Sequence, residues 1–346
     1  MDAREIDVLL VGAGPIGIEL AVALARRGIE YVHVEAGAIG STIEWYAPQT
    51  HFFSSPERIE IAGVPLQTLD QTKATREEYL NYLRSVVLQF DLPIRTFERV
   101  VRLEKTEAGF AVTTQSARGE ARWLARRIVL AIGDMHAPRE IGVPGEDLPH
   151  VSHYFRDPHV YFRRRVLIVG GRNSAVEAAI RAVRVGADVT LSYRGADFDG
   201  DRVKSWLLPE VRAMIRDGRM RFLPRTTVRA IRAGTVALEP CDGGDPFDLE
   251  ADAVLLLTGY AQDPDLFLQA GVTLERESRR PRLDPRTMET NVPGLYVAGT
   301  AVAGTQLGGV KEFIETSHVH VARIVAALAG EAPPEGEAPR FEVPES

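Results

Sequence analysis

The chain has 346 residues, 45% of them hydrophobic and 26% charged, and a formal net charge of −7. That balance describes a folded globular protein with room for two cores and excludes a disordered one. Net acidity without a basic stripe argues against nucleic acid or an anionic membrane as partner, and the lone Cys241 excludes an internal disulfide, a CxxC redox pair and a cysteine-built zinc cluster, so no metal site is expected.

No apolar run approaches the roughly 20 residues a membrane helix needs. Met1 leads into a strand within six residues, leaving no room for a signal peptide, so a cytoplasmic location is the expectation. "EIDVLLV" reads as a buried parallel strand, "IGIELAVALARRG" as a helix ending at Gly28, and "YVHVE" as a second strand. Between strand and helix stands "GAGPIG". Gly12 allows the tight turn, Gly14 lets backbone approach a pyrophosphate, and Gly17 lets the helix pack on the strand. Pro15 suits the first helical turn. The helix start offers unpaired N–H groups and the positive dipole end to the phosphates. Glu35 closes the second strand 23 residues after Gly12, where a carboxylate can accept bonds from both ribose hydroxyls.

Further along, "TREEYLNYLRSVVLQF" reads as an amphipathic helix with Thr75 as N-cap. "FERVVRLEKTEAGFAVTTQ" and "RWLARRIVLAIG" read as strands of a small meander, and the Gly/Pro-rich residues 131–149 as a crossover. "LIVGGRNSAVE" then repeats the first motif 158 positions on: Gly12 maps to Gly170, Gly28 to Gly186 and Gly37 to Gly195. The second copy departs in its details. Arg172 replaces Gly14, Ala175 replaces Gly17, and Glu35 maps onto Tyr193, followed by Arg194. Loss of the carboxylate beside a new cation favours a 2′-phosphate, hence NADPH over NADH. Two turns thus predict two different dinucleotides, and the usual pair is FAD with NADPH.

The fold expected is α/β, with two Rossmann-like dinucleotide-binding domains, the first interrupted by the second. FAD domain residues are 1–158 and 260–330, the NADPH domain is 159–259, and 331–346 form a loose tail rich in Pro and Glu. "GLYVAGTAVAG" returns to the first sheet, and a last helix is expected from about Gly309 to Ala329, its start aimed at the flavin. Expected FAD contacts are Gly12, Gly14, Pro15, Ile16, Gly17, Glu35, Ala36, Val101, Ala131, Gly133, Gly299, Thr300 and Val310. Those expected for NADPH are Gly170, Gly171, Arg172, Asn173, Ser174, Ala175, Tyr193, Arg194 and Gly259.

The layout of "VGAGPIG", "VGGRNSAVEAA" and "NVPGLYVAG" resembles the thioredoxin reductase-like flavoproteins along most of the chain. Where bacterial thioredoxin reductases carry their redox CxxC, this chain has "VSHYFRDPH", so that activity is excluded. A closer resemblance is to the bacillithiol disulfide reductase (YpdA) family. It is carried by "THFFSSPERIEIAGVP", "GVPGEDLPHVSHYF", "VYFRRRVLIVGGRNSAVEAA", "VTLSYRG" and "FIETSHVH". The resemblance implies an FAD enzyme that takes hydride from NADPH and reduces a small-molecule disulfide. It also implies assembly as a homodimer or homotetramer.

Two departures stand out. The family's first turn commonly holds a cysteine proposed to engage the substrate disulfide; Ile16 stands there and cannot act as a nucleophile. Flavoproteins at large end their last motif in Gly-Asp, whereas this chain reads Gly299-Thr300, exchanging a charged hydrogen bond for a neutral one. For proton donation near the flavin His51 is the first candidate, with His153, His318 and His320 behind it. A ferredoxin- or quinone-type NADPH reductase is the main alternative, since it needs no cysteine. A non-enzymatic flavin redox sensor is another. A flavin monooxygenase is echoed only faintly, by His150 and Tyr154 without the preceding Phe-x-Gly.

Overall fold

A computed structural model describes residues 3–200, 202–307 and 312–334. The chain forms two compact units. Among the described residues, one comprises 3–45, 49–137 and 260–334; the other comprises 46–48 and 138–259. The crossing into the long stretch of the second unit, after Ala137, falls inside the Gly/Pro-rich residues 131–149 and well before position 158.

The first unit opens with β1 (Arg4–Val11), α1 (Pro15–Arg26) and β2 (Tyr31–Val34), followed by the single turns α2 (Ser41–Glu44) and α3 (Pro56–Ile59). α4 (Arg76–Gln89) begins as its sequence predicts. Thr75 accepts the Glu78 N–H and the Glu78 carboxylate returns a bond to the Thr75 N–H, a reciprocal cap of about 1 kcal/mol. Then come β3 (Ile94–Arg95), β4 (Arg99–Thr106), β5 (Gly109–Ser116) and β6 (Gly119–Leu130). The sheet order is β3-β2-β1-β6-β5-β4, with β1 parallel to β2 and β6, and with β4–β6 an antiparallel meander. Val8, Leu9 and Leu10 of β1 are fully buried, as a strand with parallel neighbours on both sides requires. Truncating Leu9 or Leu10 to Ala would cost about 2–5 kcal/mol.

The chain passes through β7 (Ala137–Pro138) into the second unit. There β8 (Val151–Ser152), β9 (Arg165–Val169), α5 (Asn173–Arg184), β10 (Asp188–Tyr193), α6 (Leu207–Arg216) and β11 (Arg221–Pro224) follow. An antiparallel set, β12 (Thr226–Arg232), β13 (Thr235–Pro240) and β14 (Phe247–Glu250), precedes β15 (Ala253–Leu256). β8, β9, β10, β11 and β15 make one parallel sheet in the order β11-β10-β9-β15-β8. Its strands alternate faces with period two. Val166, Ile168 and Leu255 join the core with α5 and α6, while Leu167, Val254 and Leu256 join the core with β12–β14.

β16 (Tyr260–Ala261) pairs with β7 at the return crossing, and α7 (Asp265–Gln269), β17 (Leu295–Val297) and α8 (Ile314–Ala329) complete the first unit. β17 adds parallel to the last residues of β6, on the edge β5 has by then left. α8 begins at Ile314, later than expected, because Phe313 is extended and its N–H donates to Thr316 Oγ1. Val310 and the expected helix start at Gly309 lie outside the described residues, as does the tail from 335 onward.

The repeat is structural as well as sequential. α1 and α5 each have 12 residues, and both their ends lie 158 positions apart. The Gly12 N–H donates to Val34 O as Gly170 N–H does to Ser192 O, and Gly28 to Ala25 O as Gly186 to Val183 O. Both units are βαβ dinucleotide-type folds built on one template.

Candidate functional site

At the first turn, Gly12 has φ +102° and a Cβ there would lie 2.4 Å from Ala131 O, so only glycine fits. A Cβ on Gly17 would lie 1.9 Å from Gly12 O, which is what brings α1 against β1. Gly14 is different: its backbone is extended and nothing stands within 4 Å of where a Cβ would be. Gly14 is also the N-cap of α1, with no side chain capping the helix and Pro15 in its first turn. The first-turn N–H groups and the space over Gly14 therefore form a cradle that no side chain fills.

Glu35 stands beside this cradle, buried at the end of β2. Its Oε2 accepts the Ala13 N–H at 2.7 Å, and its Oε1 accepts from the Gly37 N–H at 2.8 Å and Ser41 Oγ at 3.2 Å. A carboxylate has about four acceptor positions, so about one remains for a ribose hydroxyl, where the sequence assigned it both. Ala36 is exposed beside it. Val101 is exposed at a bulge of β4, a few residues beyond Glu98, whose N–H donates to Glu35 O. His33, at the heart of β2, points Nε2 at Gly12 O, 2.8 Å away. Burial lowers its pKa to about 4, so it is neutral and donates there.

At the second turn, Gly170 has φ +145° and a Cβ would lie 2.5 Å from Leu257 O, while Ala175 is fully buried beneath it. The Tyr193 ring lies between Gly171 and Gly195, so close that a Cβ on either glycine would come within 2.5 Å of it. Arg172, Ser174 and Arg194 are exposed; Arg172 is the N-cap of α5, without a side-chain cap of its own. Asn173 is used internally: its Oδ1 accepts the Lys204 N–H at 2.7 Å. Lys204, a residue the sequence reading passed over, is buried with Nζ 3.4 Å from Glu177. Gly259 ends this unit and accepts the Arg139 N–H.

Ile16 is buried, and a Cβ on Gly299 would lie 3.5 Å from its own, so residue 16 abuts the turn after β17. Thr300 follows, and its hydroxyl bonds Asp134, one residue beyond Gly133. Burial raises the Asp134 carboxyl above its ordinary range, opposed by the bonds from Thr300 and from Gln306 Nε2 at 2.8 Å. Gln262 spans the same place, with Nε2 bonded to Gly133 O and Ala301 O. Asp134, Gln262 and Gln306 carried no motif signal; only the convergence of three chain segments assembles them.

The histidines divide. His51 is exposed and bridges Thr75 ahead of α4. His318 is bonded to Glu19 Oε2 at 2.7 Å and Arg58 O at 3.2 Å; burial opposes its charge, but Glu19 and the carbonyl outweigh burial and raise its pKa. His320 is buried and its pKa falls to about 4, first through burial and then through Arg323 and His318. His153, in the second unit, lies 3.5 Å from Glu146. Cys241 is exposed in a turn of the second unit. Among the described residues no cluster of His, Cys, Asp and Glu could hold a metal, and no helix is long and apolar enough to cross a membrane.

The cradle over Gly14, the uncapped start of α1 and the placement of Glu35 fit a dinucleotide whose adenosine end lies at β2. The second turn repeats the glycine geometry, with Tyr193 where the first has its acid. Residues 9–299 match the pyridine nucleotide-disulphide oxidoreductase family. The chain is 34% identical to the bacilliredoxin reductase Bdr of Bacillus subtilis (strain 168) over 93% of its own length and 97% of that protein's. It is 27% identical to a ferredoxin–NADP reductase of Ignicoccus hospitalis, over 85% of this chain and 89% of that one. The solved structure of bacillithiol disulfide reductase Bdr (YpdA) from Bacillus cereus superposes with a TM-score of 0.89 at 34% identity, covering 94% of this chain and 99% of that one. The two-domain fold is of the thioredoxin reductase type. Together with the paired glycine turns, these likenesses establish that the chain belongs to the bacillithiol disulfide reductase (Bdr, YpdA) family of pyridine nucleotide-disulphide oxidoreductases.

Proposed function

We propose that the protein is an FAD-dependent NADPH oxidoreductase that delivers two electrons to a small disulfide without a protein thiol. The observation that carries the cofactor pair is the contrast at equivalent positions, Glu35 in the first turn and Tyr193-Arg194 in the second. Glu35 is a fixed, buried acceptor that suits a free ribose hydroxyl and repels a 2′-phosphate. Tyr193 brings no charge, and Arg194, exposed and without an ion pair among the described residues, can hold a phosphate. When bound, the flavin supplies the hydride and two-electron chemistry. The chain's own residues would hold and orient it: the turn at Gly12, Gly14 and Gly17 sets the pyrophosphate against α1, and buried Ile16 packs beside Gly299. Ile16 offers no nucleophilic thiol at the first turn, so the disulfide is reduced there without a mixed disulfide on the protein.

Anaerobic mixing of the FAD-loaded protein with NADPH or NADH tests the cofactor reading. Flavin reduction about tenfold or more faster with NADPH is expected; equal rates would refute the role given to Arg194. The ferredoxin- or quinone-type reading draws support from Ile16 and from the likeness to the Ignicoccus hospitalis protein. It predicts reoxidation by those acceptors and not by a disulfide.

A further inference from the structure

Gln262 follows β16 and only 5% of it is exposed. Its Nε2 donates to Gly133 O at 3.2 Å and to Ala301 O at 3.0 Å, and its backbone N–H donates to Thr305 Oγ1. Both side-chain partners are carbonyls, which only accept. The amide therefore has one permissible orientation: turning it over would set oxygen against two oxygens. That orientation leaves Oε1 as a buried acceptor with no partner among the described residues. Such an atom is costly unless something donates to it, and the large majority of buried side-chain polar atoms are paired.

The place of the atom says what the donor is. Gly133 follows β6 and Ala301 follows β17, so Gln262 ties together the C-terminal ends of two adjacent parallel strands, the edge at which open α/β sheets bind their ligands. Along that edge the strands run β2, β1, β6, β17. Glu35 ends β2 and the glycine turn follows β1, so a dinucleotide with its adenosine ribose at Glu35 and its pyrophosphate at Gly14 continues towards β6 and β17. From β2 to β17 is three strand spacings, roughly 14 Å. The pyrophosphate itself has no donor to offer. The next part of FAD beyond it is the ribityl chain, whose hydroxyls are donors. The neighbouring carboxyl of Asp134, held by Thr300 and Gln306, adds a second acceptor beside the first.

We propose that Gln262 Oε1 is the acceptor for a ribityl hydroxyl of the bound flavin, and that Gln262 thereby positions the flavin chain on the turns after β6 and β17. The assignment rests on the FAD reading above.

The test pairs a change in the protein with a change in the ligand. Apoprotein is titrated with FAD and with an FAD analogue whose ribityl hydroxyls are replaced by hydrogen, and binding is read from flavin fluorescence. Wild type should prefer FAD by about fivefold or more. In Gln262→Met that preference should fall to about twofold or less. Gln262→Lys, which can still donate to both carbonyls but has no acceptor, should behave the same way and covers the case in which the methionine variant does not fold. Both flavins weakening equally in either variant would make Gln262 a clamp between Gly133 and Ala301 and overturn the proposal. So would a wild type that does not distinguish the two flavins. A wild type that binds neither would instead overturn the FAD reading itself.

Discussion

The carboxylate of Glu35 accepts the backbone N–H of Ala13 at 2.7 Å, joining the end of β2 to the first glycine turn. With Gly37 and Ser41 also donating to it, Glu35 shapes the turn as well as reading its ligand. Glu35→Gln puts an amide NH2 where an N–H or hydroxyl donor now points. Losing charge-assisted bonds to a buried group costs about 1.5–3 kcal/mol. The variant should melt several degrees lower even as apoprotein and should lose FAD in gel filtration. An unchanged apoprotein melting temperature would show that the bonds to Ala13 and Gly37 contribute nothing to the fold.

Gly14 and Gly17 should respond oppositely to alanine. At Gly17 the added methyl meets Gly12 O at 1.9 Å, so α1 must move off β1 and the variant should be severely destabilised. At Gly14 the backbone is extended and the space is open, so Gly14→Ala should fold within about 0.5 kcal/mol of wild type. It should nevertheless bind FAD at least about tenfold more weakly, because the methyl occupies the cradle. Thermal melts and flavin titrations separate the two effects.

Arg194→Ala should raise the KM for NADPH by about 10- to 100-fold while leaving that for NADH within about twofold, since only the 2′-phosphate is lost as a partner. Steady-state kinetics with both nucleotides decides it. A parallel loss with both would mean that Arg194 serves the fold or the shared phosphates.

His318 links α8 to Glu19 of α1 and to Arg58 of α3. Its pKa in the folded protein lies above the ordinary 6.5, so its bonds stabilise the fold fully below that value and lose that contribution as pH rises through the raised one. The difference in melting temperature between wild type and His318→Asn should therefore be largest near about pH 6 and shrink towards about pH 9. A difference that grows with pH would contradict the assignment. His320, whose pKa is about 4, should give no such profile in that range.

What the sequence made legible was local or repeated. The shift of 158 positions placed α5 on α1 end for end, because the tight turn, the helix start and the helix stop are each set by nearby glycines. Thr75 and Glu78 announced the start of α4 for the same reason. What stayed hidden was long-range. Gln262, Asp134 and Gln306 meet only because β6, β17 and the crossing after Gly259 end at one sheet edge, and no spacing in the chain encodes that meeting. Glu35 was found, but not its three internal partners. His51, singled out from a shared segment, is exposed and its backbone bridges Thr75.

The most direct test of the account follows the second half-reaction. The flavin is reduced anaerobically with one equivalent of NADPH, bacillithiol disulfide is added, and the yellow absorbance is followed. The account predicts rapid recovery, with two thiols formed per flavin reoxidised and no dependence on Cys241, so that Cys241→Ser behaves as wild type. Absence of recovery with the disulfide, while ferredoxin, a quinone or oxygen restores the colour, would contradict it.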